Sequence, residues 1–152
     1  MENQSTLAWI ESRRDLWLDL LRIYLGAALF IKGMVFVGNA AALSETMTAS
    51  HIPFGDVGLL HYVVTAHLAG GIMLLFGIAT RAAAAANIPV LLGAVLFVHR
   101  REGLFAPGQS LELTLLVLFL LVLFTINGSG RLSVDHYRRA SGYEPPMEPH
   151  PA

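Results

Sequence analysis

Residues 111–126 read LELTLLVLFLLVLFTI, and Glu112, Thr114 and Thr125 are their only polar members. With Ser110 and Asn127 added, the run makes a helix of about 27 Å, close to the thickness of a bilayer's hydrocarbon core. Leu, Val and Phe occupy every face, so it lacks the polar stripe that a soluble amphipathic helix turns to water. A chain of 152 residues rarely needs so apolar a helix inside a soluble core, and the run is read as a membrane span. The acid near its start asks for a reason, because charge in or at the edge of hydrocarbon is costly.

The rest of the chain agrees. It is 55% hydrophobic and only 14% charged, against about 25% charged in soluble domains. Its length suits one domain. The net charge of −1 carries no basic surplus for nucleic acid. There is no cysteine, which excludes disulfides, thiolate metal sites, cysteine-ligated iron–sulfur clusters and dithiol redox chemistry. Electron transfer would therefore need a bound cofactor, or a quinone held by His, Glu, Lys, Arg or aromatic side chains. Residues 1–15 are mixed and polar rather than a cleavable signal, so the first span is expected to act as an uncleaved anchor.

Spans are expected at about 18–37, 57–77, 82–98 and 110–127. Before them, residues 1–17 place Trp9 and Trp17 beside Arg13 and Arg14, which suits an amphipathic segment at headgroup level. Arg22, Gly26, Leu29 and Gly33 share one face of the first span, and His67, Gly70, Gly71 and Leu74 share one face of the second. Glycines on such faces permit close helix approach. Residues 40–47 suit a short interfacial helix, and Ala79-Thr80-Arg81 a tight turn. Pro89 should kink the third span by removing a hydrogen bond to the Ala85 carbonyl. Asn127-Gly128-Ser129-Gly130 should end the fourth. Residues 136–152, with Pro145, Pro146, Pro149 and Pro151, are expected to be a disordered tail.

The fold class expected is an all-α membrane protein, an antiparallel bundle of four transmembrane helices. One side collects Arg13, Arg14, Arg81, Arg131, Arg138 and Arg139, the other only Arg100 and Arg101. The positive-inside rule then places both termini in the cytoplasm, with the bundle in the plasma (inner) membrane.

This topology brings ionisable residues into the outer half. Lys32 lies about 8 Å and His61 about 6 Å inside the outer ends of their spans. His99 and Glu112 sit near the outer ends of the third and fourth, and His67 lies near the midplane. Each also has a plain structural role. An acid in a helix's first turn, as at Glu112, gains about 0.3–1 kcal/mol from the dipole. Lys32 can snorkel to the outer headgroups or pair with Glu112, and Arg22 can snorkel at the cytoplasmic end. His67 can bond a neighbouring helix. His61, His99 and Glu112 as a metal set, or two of the histidines on a haem, are disfavoured, because the residues lie on separate helices without ligand spacing. No metal is assigned.

The chain resembles the DoxX family of small four-helix membrane proteins from residue 20 to 135. The resemblance rests on LLRIYLGAALFIKG in the first span, HLAGGIMLLFGIATR in the second, His99, and LELTLLVLFLLVLFTINGSGRLSVD at the fourth. Arg22, Gly26, Gly33, Gly77, Thr80, Arg81, Glu112, Gly128, Gly130 and Asp135 match its pattern. His67 stands where the family usually has a Glu; imidazole can exchange a proton there but cannot supply a permanent negative charge. The resemblance implies a place in quinone-linked redox complexes, such as a subunit of thiosulfate:quinone oxidoreductase, and more distantly in assembly.

The leading expectation is a membrane subunit of a redox system that holds a quinone or similar lipophilic carrier. Glu112 and His99 exchange protons, and Lys32, His61, His67 and Arg22 form or tune the carrier site. Its partners would be the bilayer and other membrane or redox subunits. One alternative is a non-catalytic accessory subunit packing through its glycine- and alanine-rich faces. A small-solute or proton transporter is disfavoured, because no inverted repeat is evident. The expected orientation is checked by single cysteines introduced into this cysteine-free chain. In right-side-out vesicles Ser50→Cys should react with an impermeant maleimide, and Ser141→Cys only after permeabilisation.

Overall fold

The computed structural model describes residues 2–49, 57–98 and 110–141, with side chains except at 2–15, 57, 110 and 139. Six α-helices follow in order: α1 (Glu2–Gly38), α2 (Ala40–Ala49), α3 (Val57–Phe76), α4 (Thr80–Gly93), α5 (Ser110–Asn127) and α6 (Val134–Ala140). A π-helical turn, Ala94–Val98, continues α4. Three stretches are long and apolar enough to cross a membrane: Leu16–Gly38, Gly58–Phe76 and Thr80–Val98. The Leu-rich run forms a shorter apolar helix, Leu111–Asn127.

Residues 1–17 are not a separate element, since α1 runs unbroken from Glu2. The helix expected at 40–47 is α2, which buries Met47. The first residues assigned to the tail lie in α6; residues 142–152 lie outside the described set.

Glycine sets the closest contact. A Cβ on Gly71 would stand 2.6 Å from the Phe30 backbone nitrogen, and one on Gly26 would stand 2.8 Å from the Gly71 carbonyl oxygen. Gly33 meets Leu68 equally closely. The pairing falls in α3 as it rises in α1, so the two helices run antiparallel with their backbones almost touching. The two faces read from the sequence are thus the packed ones: Arg22, Gly26, Leu29 and Gly33 are buried, as are His67, Gly70, Gly71 and Leu74. In lipid such contact is favoured by van der Waals packing rather than by water exclusion.

Asn87 joins α3 to α4. It is fully buried and donates to the carbonyls of Ala66 (2.9 Å) and Ala83 (3.0 Å). Beside it, the Tyr62 hydroxyl donates to the Ala86 carbonyl at 2.7 Å. That oxygen neighbours the Ala85 carbonyl that Pro89 leaves without its usual donor. The helix continues through Pro89 and relaxes into the π turn five residues later. Leu121 and Phe124 of α5 share the core with Leu91, Ala84 and Leu74. α1 and α5, by contrast, scarcely touch.

Gly71→Ala should lower stability in detergent by about 1–3 kcal/mol, because the methyl meets backbone that cannot swing aside. Gly93, whose Cβ would meet nothing within 4 Å, is the control. Gly93→Ala should leave stability unchanged or raise it by up to about 1 kcal/mol. Thermal unfolding of the two variants side by side checks both.

Candidate functional site

Polar side chains gather in two places. At one end of the bundle, Asp19 and Arg22 sit one turn apart on α1, both fully buried, with Nη2 of Arg22 3.0 Å from Oδ1 of Asp19. Arg22 also donates to the carbonyls of Leu74 and Leu75 (3.0 Å) at the end of α3, and to that of Leu132 (2.7 Å) beyond α5. Oδ2 of Asp19 accepts the Leu132 N–H at 2.8 Å. One ion pair therefore receives or supplies hydrogen bonds from three chain segments.

The turns around this pair are built to approach it. Gly77 adopts φ +68°, and a Cβ there would press on Ser133 and the Arg22 guanidinium. A Cβ on Gly130 would stand 2.6 Å from the Asp19 carboxylate. Ala79, at φ 45°, provides no side-chain cap for α4. Asp135 supplies one from the far end of the chain, accepting the N–H groups of Ala79 (2.8 Å) and Thr80 (3.0 Å). An acid at a helix N-terminus also favours the dipole. These contacts give Arg22 a structural role. It is held inward by Asp19 and carbonyls rather than snorkelling to the surface, and it does not line the cavity described next.

At the other end, residues of α1, α2, α3, α4 with its π turn, and α5 line a cavity of about 770 Å³. Its walls are mostly Leu, Val, Ala and aromatic side chains. That is the size and character of a pocket for a small organic ligand. Among the described residues, Lys32 and His67 are the lining groups that carry a basic nitrogen, and no carboxylate lines it. The Lys32 ammonium lies 5.4 Å from the centroid of the Phe36 ring, within cation–π range. The Phe36 ring meets the His67 imidazole edge-on, with centroids 5.1 Å apart and planes at 71°. Lysine, phenylalanine and histidine thus form one continuous edge of the cavity.

His67 is buried, and its Nδ1 lies 2.9 Å from the Val63 carbonyl oxygen. A carbonyl only accepts, so Nδ1 carries a proton, which leaves Nε2 as the ring nitrogen that can accept when the ring is neutral. His67 therefore bonds its own helix, not a neighbouring one.

The remaining candidates fall differently. His61 is exposed on α3 and does not line the cavity. Glu112 lies in the first turn of α5, half-buried, beside the lining residues Leu113 and Thr114 but not itself among them. His99 lies outside the described residues. Among the described residues no three His, Asp or Glu side chains come together as a metal site. Sequence reasoning missed Asp19, whose spacing of three from Arg22 was its signal. It also missed Asn87, a lone amide beside an alanine run. Asp135 was noted only as part of a motif.

Apolar membrane-length helices packed through glycines, with charge neutralised inside, define a multi-pass membrane protein. The DoxX family model matches residues 17–100, more than half of the chain, and the protein belongs to that family. The match takes in Arg22, Lys32 and His67 and stops short of α5. No curated protein and no solved structure matches the chain.

The two polar places should separate by mutation. Asp19→Asn leaves Arg22 charged and buried without its counter-ion, which should destabilise the fold by about 3–5 kcal/mol. Lys32→Ala, at an exposed side chain, should change stability by no more than about 0.5 kcal/mol. Unfolding followed by circular dichroism in one detergent measures both.

Proposed function

We propose that the protein is the membrane subunit of a quinone-linked redox system and that the cavity beside Lys32 and His67 holds the lipophilic carrier. The cavity itself carries the proposal: it is apolar, ligand-sized and edged by one ammonium and one imidazole. Lys32 would donate to a carrier oxygen, and Nε2 of His67 would accept from a hydroxyl. The apolar wall would take the tail. The scant contact between α1 and α5 offers a lateral way in from lipid. The family's place in quinone-linked complexes, read from the resemblance above, supports the same assignment.

Glu112 and His99 enter this reading as proton exchangers, each adjacent in sequence to a lining residue, Leu113 and Val98. With no cysteine and hence no cysteine-ligated cluster of its own, the chain would pass electrons to or from a partner subunit. In this reading α5 is the fourth span. The bundle sits in the plasma (inner) membrane with both termini cytoplasmic, so that the cavity opens in the outer half.

Gently purified protein should carry extractable quinone, or be stabilised against heat by an added short-chain quinone. Lys32→Ala together with His67→Phe should weaken that binding by at least about tenfold, the loss of one hydrogen bond of about 1.4 kcal/mol or more. Glu112→Gln should leave binding intact and slow reaction with added quinol by about a hundredfold or more. A protein that neither carries nor binds quinone would overturn the proposal.

A further inference from the structure

We infer that the cavity selects a carrier whose ring bears a negative charge: an acidic, hydroxyl-substituted quinone bound as its anion rather than a neutral quinone. This rests on the reading of the cavity as a carrier site, and goes further by naming the charge state of the occupant.

The first ground is charge complementarity. Among the described residues the cavity lining includes one cation, Lys32, and no carboxylate. The ion pair of Asp19 with Arg22 is fully buried at the far end of the membrane-spanning part of α1, where its charges neutralise each other. Lys32 lies within a membrane-length stretch, and in such low-dielectric surroundings a single positive charge acts strongly on whatever lies nearby. A neutral quinone offers it only a carbonyl dipole. An ionised ring oxygen offers a charge-assisted hydrogen bond, which is roughly twice as strong.

The second ground is the shape of the charged edge. The Lys32 ammonium is held over the Phe36 ring, and that ring meets His67 edge-on. Tyr24 and Phe97 add aromatic surface to the lining. A flat ring can stack against such walls. His67 contributes a lone pair at Nε2, since its Nδ1 proton is committed to the Val63 carbonyl. The edge therefore pairs one fixed cation with one acceptor. It suits a ring with an anionic oxygen for Lys32 and, on reduction, a hydroxyl for His67.

The test compares two probes of equal shape and different charge. An alkyl hydroxynaphthoquinone is ionised at neutral pH; its O-methyl ether is not. Binding of each to the full-length protein in detergent is measured by tryptophan quenching and by the shift in unfolding temperature. The anion should bind about ten- to a hundredfold more tightly than the ether, the span of one charge-assisted hydrogen bond. Lys32→Gln should bring the two affinities together, and Lys32→Arg should restore the gap. Equal affinities in the unaltered protein would overturn this inference alone and leave the carrier site standing, as would a gap that survives Lys32→Gln. Failure of both probes to bind would overturn the inference and the carrier site together.

Discussion

The bundle depends on a buried charge that is neutralised and hydrogen-bonded from within. Arg22 lies about 9 Å along a membrane-length helix from its Leu16 end, where an unpaired guanidinium would be prohibitively costly. Asp19 neutralises it, and three main-chain carbonyls accept from its terminal nitrogens. Those carbonyls come from the end of α3 and from the segment after α5, so satisfying one side chain also fixes where two other elements stop. Loss of either partner would strand the other in a medium that cannot solvate it. The same logic brings Asp135 to α4: a helix that begins at an alanine with no cap takes its acceptor from another part of the chain.

Closing one end in this way leaves the other end free to be hollow. α1 is pressed onto α3 by glycines, and α4 bridges α3 to α5, while α1 and α5 hardly meet. The void lies where the packing is weakest, against the half of α1 that carries Lys32 and Phe36. A tightly bonded polar cluster and an apolar cavity with a charged edge thus divide the two tasks of the molecule. One holds the helices in register, and the other is the site proposed for a lipophilic carrier.

Much of the architecture was legible in the residues. Hydropathy and length mark the spans to within a few positions. The glycine faces of α1 and α3 follow from a spacing of three and four, because only those positions share a helix face. The site was less legible. Six ionisable residues could be placed by depth, yet depth does not say which way a side chain turns. Lys32 and His67 reach the cavity, Arg22 turns inward to Asp19 at the opposite end, and His61 is exposed. Asp19 escaped notice because an acid at the edge of a span reads as solvated unless its partner is known.

By itself the sequence determined that this chain is helical, apolar and membrane-embedded, and which helix faces can approach closely. Those properties follow from local periodicity and side-chain volume. Only the tertiary structure decided that Asp19 and Arg22 turn inward together and which side chains edge a cavity, since the backbone groups that hold the pair lie more than fifty positions away. No local rule specifies those contacts. They are selected by the cost of leaving charged and main-chain polar groups unpaired in hydrocarbon.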